Sequence, residues 1–245
     1  MKKNGKYIGT NHTTQVIMGG IDSSFSEAFT NEEVLIGAGL DYIPCIIGDI
    51  EETYRMLFER IGKDCPQTFA DMCACVFTVV QDYFGDYSNI SERMDNYPDL
   101  DFIADGEDLG KVSDLKGKNA AMCVERAMLS QNLLNFLGFK SFYKSSGILS
   151  DGKAEVHSYN LVENNYACFI FDATIPSMIN GVINPLICEV PRDVYEEMSS
   201  PKASEGYSVD VTHYNPLKDE ERHIVYDAGR KDIYEAQPLE SVKKL

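Results

Sequence analysis

Two strand-like runs on either side of Asn164–Asn165 constrain this chain more than any other feature. Residues 155–163 (EVHSYNLVE) and 166–172 (YACFIFD) are rich in Val, Tyr and Phe, as half-buried strands are. Asn tolerates positive φ, so Asn-Asn suits a two-residue primed turn and predicts an antiparallel hairpin. In that register Glu163 pairs with Tyr166, and counting back sets His157 directly across from Asp172 on one face. A slip of one residue would divide them between opposite faces. An Asp facing a His fixes the ring's tautomer and stabilises its charged form, leaving one ring nitrogen for a third group.

That third group lies upstream. Residues 120–137 are good helix formers without Pro or Gly, and Gly138 follows as a stop. Val124, Ala127 and Met128 share a face, which Leu133, Leu134 and Leu137 continue. With Asn119 as the expected N-cap, Cys123 falls in or beside the first turn. There the helix dipole and unpaired N–H groups favour a thiolate, and a backbone N–H can hold a developing oxyanion. Gln81, Tyr87 and Asn119 are three alternatives for a side-chain oxyanion donor. Taken singly, Cys123 reads as a small buried hydrophobe, His157 as a core histidine and Asp172 as a turn former. Taken together, in this order and register, they read as nucleophile, base and orienting acid.

At these residues the chain resembles the transglutaminase-like superfamily of papain-type cysteine enzymes. The similarity runs from Cys123 and Ala127 through the Leu-rich helix ending at Leu137–Gly138. It continues past Gly147 to His157 leading a strand, then to Phe171-Asp172-Ala173-Thr174. It covers about a quarter of the chain. It implies an α+β fold with a papain/transglutaminase-like core, in which the catalytic Cys sits at a helix N-terminus packed on an antiparallel sheet carrying His and Asp. By resemblance Cys123 is the nucleophile, His157 the base and Asp172 the orienting group, with no metal and no cofactor. The family often has Trp beside the His and before the Asp; this chain has no Trp, and Tyr159 with Phe169 or Phe171 stands in those places.

The remaining chain frames this segment. Residues 1–30 read as a loose polar lead with a short strand at 15–18, and residues 36–47 as an extended segment or short turns. One helix is expected from a cap at Asp49, with Glu52 three residues on, to Gly62. Another is expected from a cap at Asp64, with Pro66 in its first turn, to Gly85. The second is apolar around most of its circumference, so it should be buried. Cys73 and Cys75 point roughly 200° apart on it, which suits core cysteines rather than metal ligands. Residues 86–117 read as a loop with an acidic surface, where Ile103 spoils a calcium pattern. Residues 182–188 suggest a strand or lid, and Pro191 opens a short helix ending near Met198. Residues 207–211 and 223–226 suggest two strands joined by a long polar turn, with His213 and His223 on the surface and a fraying tail from Lys231. The whole, residues 1–245, reads as a single domain: a core at about 64–190, an N-terminal lead and a C-terminal β extension.

Twenty-two basic against 39 acidic residues, a formal charge of −17, argue against nucleic acid and anionic membranes as partners. Seven cysteines, an odd number, without an apolar leader suggest free thiols in the cytoplasm. The expected function is a cysteine-dependent acyl-transfer enzyme that hydrolyses a peptide or carboxamide bond through a thioester, with a protein or peptide substrate. The alternatives are a protein-glutamine transglutaminase and an arylamine N-acetyltransferase, the latter for its Cys123-Val124-Glu125 element. A non-catalytic binding module on the same scaffold is a third. Oligomeric state is left open by the sequence.

Overall fold

Helices α1 (Ile50–Asp64) and α2 (Phe69–Phe84) come first in a computed structural model, followed by α3 (Cys123–Phe136) and, late in the chain, α4 (Arg192–Met198). The structure describes residues 6–7, 50–85, 115–179, 182–199 and 208–227. The readings of 15–18, 36–47, the acidic run at 99–108 and the tail lie outside them. The strands are β1 (Lys6–Tyr7), β2 (Lys140–Ser150), β3 (Lys153–Glu163), β4 (Cys168–Ile179), β5 (Val182–Val190), β6 (Ser208–Asn215) and β7 (Glu220–Asp227). They form one antiparallel sheet in the order β1-β5-β4-β3-β2-β7-β6. β6 curls back against β4, β5 and β1, so the sheet is nearly closed. The fold is mixed α+β. No helix among the described residues is long and apolar enough to cross a membrane.

The helices end where local chemistry ends them. α1 runs through Gly62, expected to stop it, and finishes at Asp64; Cys65 takes the left-handed position, φ 49°, with its N–H on the Ile61 carbonyl at 2.9 Å. α2 is capped by Thr68 rather than Asp64, and Pro66 precedes it. The Thr68 hydroxyl accepts from the Asp71 N–H at 3.1 Å and the Asp71 carboxylate accepts from the Thr68 N–H at 3.1 Å. This reciprocal pair satisfies two helix-end donors, which a cap at Asp64 would have left open. Gly85 closes α2 as expected, in the positive-φ region at 94°.

Two apolar clusters share the sheet. Phe69, Val76, Val80, Leu129, Leu133, Tyr143, Val162, Phe169 and Phe171 pack between α2, α3 and one sheet face. Tyr159, Leu161, Ile170, Leu186, Cys188, Val211, Ile224 and Tyr226 fill the other side. Alternate residues of β3 and β4 thus serve different cores, as period-2 strands require. Helix α3 is buried around its circumference, and its polar side chains are placed accordingly. Asn132 Oδ1 accepts from the Tyr54 hydroxyl at 3.0 Å, and Gln131 Nε2 donates to the Ser141 carbonyl at 3.2 Å. Arg126, fully buried, donates to the carbonyls of Ala121 and Gly85 and to Gln81 Oε1, lashing α3 to the end of α2.

The β3–β4 hairpin departs from its expected register. Glu163 pairs with Cys168, not Tyr166, so the connection is four residues, 164–167. Asn164 is the reason: its Oδ1 accepts from the N–H groups of Tyr166 and Ala167, both at 2.8 Å, and its own N–H reaches the Ala167 carbonyl at 3.1 Å. This side-chain turn pre-empts a primed two-residue turn. No residue of 164–167 has positive φ. The slip is two residues, an even number, so the facing of every side chain is preserved. β6 and β7 are longer than read, and the turn between them is only residues 216–219.

A mutational pair tests the turn. Asn164→Ala should destabilise the protein by about 1 kcal/mol, lowering Tm by about 2–4 °C. Asn165→Gly, which would strengthen a primed turn, should instead be neutral or mildly destabilising in thermal melts, because no left-handed residue is needed there.

Candidate active site

Cys123 is the first residue of α3 and is half-buried. Asn119 is not the cap. It sits three residues before Met122, the actual N-cap, with φ 48°, its N–H on the Phe84 carbonyl at 3.0 Å and its backbone close against Gly85. The Glu125 carboxylate accepts from the Met122 N–H at 2.9 Å, so the helix start is closed by a side chain from within its own first turn. Helix and Cys123 therefore begin at one point.

His157 and Asp172 meet, although not as direct cross-strand partners. The paired register ends at Asn160–Phe171; carried on, it sets Tyr159 across from Asp172 and His157 across from Thr174. The His157–Asp172 contact is thus diagonal, and it is short, with Nε2 2.6 Å from Oδ2. Both residues are buried, Asp172 completely. The Cys123 thiol lies close enough to the same imidazole to raise its proton affinity. With Nε2 engaged, Nδ1 is the nitrogen left for sulfur.

The carboxylate of Asp172 collects four donors. The Thr174 N–H and hydroxyl approach Oδ1 at 2.9 and 2.7 Å, and the His157 Nε2–H and Tyr226 hydroxyl approach Oδ2 at 2.6 and 2.9 Å. Thr174 Oγ1 also lies 3.2 Å from His157 Nε2. A hydroxyl has one proton, and here it goes to Oδ1; toward the ring it can only accept. The proton on the Asp172 side of the ring is therefore on Nε2. Burial alone would push His157 down, but the adjacent Asp172 charge and hydrogen bond, with the Cys123 contact, hold it well above its ordinary value. Burial would likewise push Asp172 up, but His157 and the two Thr174 bonds hold it below the usual carboxylate range.

Of the three side-chain oxyanion candidates, Gln81 is brought to the strand of Asp172. Its Nε2 donates to the Ala173 carbonyl at 3.1 Å while Arg126 fixes its Oε1 at 2.9 Å. Tyr87 lies outside the described residues. Thr174, Tyr226 and Arg126 were not singled out from sequence. A Thr two residues after an Asp is a local signal, because a hydroxyl there can reach back to the carboxylate; Tyr226, 54 residues away, gives none. The other cysteines have a different character. Burial pushes the thiols of Cys73, Cys75, Cys168 and Cys188 up, Cys75 to about 11 and Cys188 to about 12. Among the described residues no group of three His, Cys, Asp or Glu could hold a metal ion.

His213, read as a surface residue, is buried on β6, and neither ring nitrogen has a hydrogen-bond partner among the described residues. The strand's alternation turns it inward with Val209 and Val211. Burial, then the Arg222 charge, lowers it to about 4. His223 is exposed as expected. Compared with protein-family models, curated proteins and solved structures, the chain matches none.

The two buried histidines pull stability in opposite directions. His213, lowered from 6.5 to about 4, binds its proton first in the unfolded chain, so it costs stability as pH falls from about 6.5 toward 4. His157, raised above 6.5, contributes stability that is full below 6.5 and lost as pH rises through its folded value. His213→Gln should therefore flatten the decline in stability between pH 7 and 4.5, measured by urea unfolding. In NMR titrations the His213 ring should stay neutral until about pH 4.

Proposed function

We propose that this protein is a cysteine-dependent acyl-transfer enzyme of transglutaminase-like type, acting by net hydrolysis of a peptide or carboxamide bond. One observation carries the reading: a half-buried thiol at a helix start acts on the same imidazole that a buried carboxylate holds at 2.6 Å. A structural histidine does not need both a buried carboxylate and a cysteine at a helix N-terminus beside it. A nucleophile–base–acid relay does.

In this mechanism the thiol proton passes to Nδ1, giving a thiolate beside an imidazolium held by Asp172. Sγ attacks the substrate carbonyl carbon and the carbonyl oxygen takes up the charge, met by N–H groups at the start of α3. The tetrahedral intermediate collapses as Nδ1–H protonates the departing amine, leaving a thioester on Cys123. Neutral His157 then takes a proton from water, hydroxide adds to the thioester, and the acid leaves with the thiol regenerated. Gln81 supplies a second oxyanion donor if one of its amide protons is free of Ala173. No cofactor is required by these steps, and the substrate is a protein or peptide.

Hydrolysis is favoured over amine transfer because transfer needs a sheltered apolar channel that orients an amine against water at about 55 M. Aromatic walls usually build such channels, and the chain has no Trp. Asp151, in the acidic stretch 151–155, is tied to β7 by Arg222 and by the His223 N–H, which leaves it little freedom to steer an incoming lysine.

Limiting iodoacetamide at neutral pH, read by peptide mass spectrometry, should modify Cys123 before any other thiol. A Cys123 that stays unmodified while Cys65 or Cys45 reacts would remove the nucleophile. With a pool of glutamine-containing peptides and a fluorescent primary amine, wild type should release ammonia or new termini, and Cys123→Ala should not. Amine incorporation exceeding hydrolysis would make the protein a transglutaminase instead. Absence of any Cys123-dependent turnover would favour a binding module. Asp172→Asn should lower turnover by about 10⁴-fold, as loss of the orienting acid does in such triads.

A further inference from the structure

The Asp172 oxygen that accepts from His157 accepts a second hydrogen bond, from a strand far along the chain. Tyr226 is fully buried on β7, and its hydroxyl donates to Oδ2 at 2.9 Å, the atom that lies 2.6 Å from His157 Nε2. Its ring stands edge-on to Tyr159 at 4.8 Å, and Tyr159 lies nearly parallel to the His157 ring at 6.4 Å.

We propose that Tyr226 is a positioning residue for the Cys123–His157–Asp172 centre, drawing charge off Oδ2 so that His157 can release its proton to the departing amine. The proposal rests on the catalytic reading of that centre. The chemistry demands a compromise. A carboxylate buried at 0% exposure, with the ring as the sole donor on Oδ2, would hold the imidazolium more tightly than acid catalysis requires. A second donor on the same oxygen shares the charge, and the two Thr174 donors on Oδ1 do not compete for that atom.

Among the described residues, few titratable groups act on the pair. They are His157 and Tyr159 from β3, Cys123 from α3 through His157, His213 from β6 and Cys188 from β5. Burial first, then the Asp172 charge, pushes the Tyr226 phenol well up, so it remains a donor. Among the described residues β7 pairs with β2 at Ile148–Tyr226, Leu149–Val225 and Ser150–Ile224. Tyr226 lies in this short seam, so the hairpin β6–β7 becomes part of the site.

The test is Tyr226→Phe, which keeps the ring and its packing against Tyr159. His157 is followed by its ring Cε1–Hε1 resonance across pH, in wild type, Y226F and Cys123→Ala. Loss of one hydrogen bond to a charged group should leave Oδ2 more basic, so His157 keeps its proton longer. At the wild-type midpoint the protonated fraction should rise from one half to about nine tenths. A role in packing alone would loosen the His157–Asp172 contact and move the midpoint down, or leave it unchanged; either result overturns the proposal. Where Y226F is too unstable for a full titration, the His157 Nε2 proton is observed at one pH. It should move further downfield than in wild type, and an unmoved or upfield resonance counts against the proposal. The underlying reading fails separately. If Cys123 is not preferentially alkylated in wild type and its removal does not alter the His157 titration, the centre is not catalytic and this inference falls with it. If both hold and Y226F leaves His157 unchanged, the centre stands and only the role of Tyr226 is lost.

Discussion

A carboxylate with no solvent exposure is the constraint on which the rest of the structure depends. Isolated, Asp172 would be expelled from the interior or neutralised. It stays ionised because four donors from three separate places converge on it: its own strand two residues on, the neighbouring strand, and the far hairpin. Those places must be brought together before the charge can be buried. Sheet closure around this point is therefore coupled to the electrostatics of the site, and the proton position on His157 is a product of the same closure.

Helix α3 faces a related problem. It is buried on all sides yet carries Arg126, Ser130, Gln131 and Asn132. Their hydrogen bonds run to the helix's own backbone, to the segment that leads into it, and to neighbouring elements. The consequence for the site is rigidity at the Cys123 end. Arg126 lies one turn into the helix and binds the last carbonyl region of α2, while Gln81 carries the connection on to Ala173, next to Asp172. The thiol and the acid are held by one continuous set of polar contacts as well as by the imidazole between them.

Much of this was legible in the sequence because it rests on short-range signals. The helix that begins near Cys123 and ends at Gly138, the strands carrying His157 and Asp172, the Pro191-opened helix and the buried Cys73 and Cys75 follow from spacing and punctuation. What was misread has identifiable causes. Asn tolerates positive φ, but at Asn164 it is the side chain that builds the turn. Thr68 with Asp71 was a stronger cap than Asp64, and the pattern was there to be found. Asn119 was assigned to a helix that starts at Cys123, because nothing in residues 120–122 marks them as extended. His213 reads as a surface residue when the strand is ended at Val211; β6 runs on to Asn215, and its alternation turns His213 inward. The part played by Tyr226 depends on how β7 meets β2, and no local pattern encodes a contact across 54 residues.

The even slip in the hairpin saved the arrangement, and an irregularity in β4 completed it. Between Asp172 and Pro176 the ladder with β5 lapses, so residues 173–175 have no partner across that edge. A regular sheet would have consumed the Ala173 carbonyl and the Thr174 N–H; here they go to Gln81 and to Asp172. The Thr174 amide is therefore protected from solvent exchange by a side-chain charge instead of by a neighbouring strand. Its exchange is therefore governed by the opening of a contact to the charged Asp172, not by the parting of two strands.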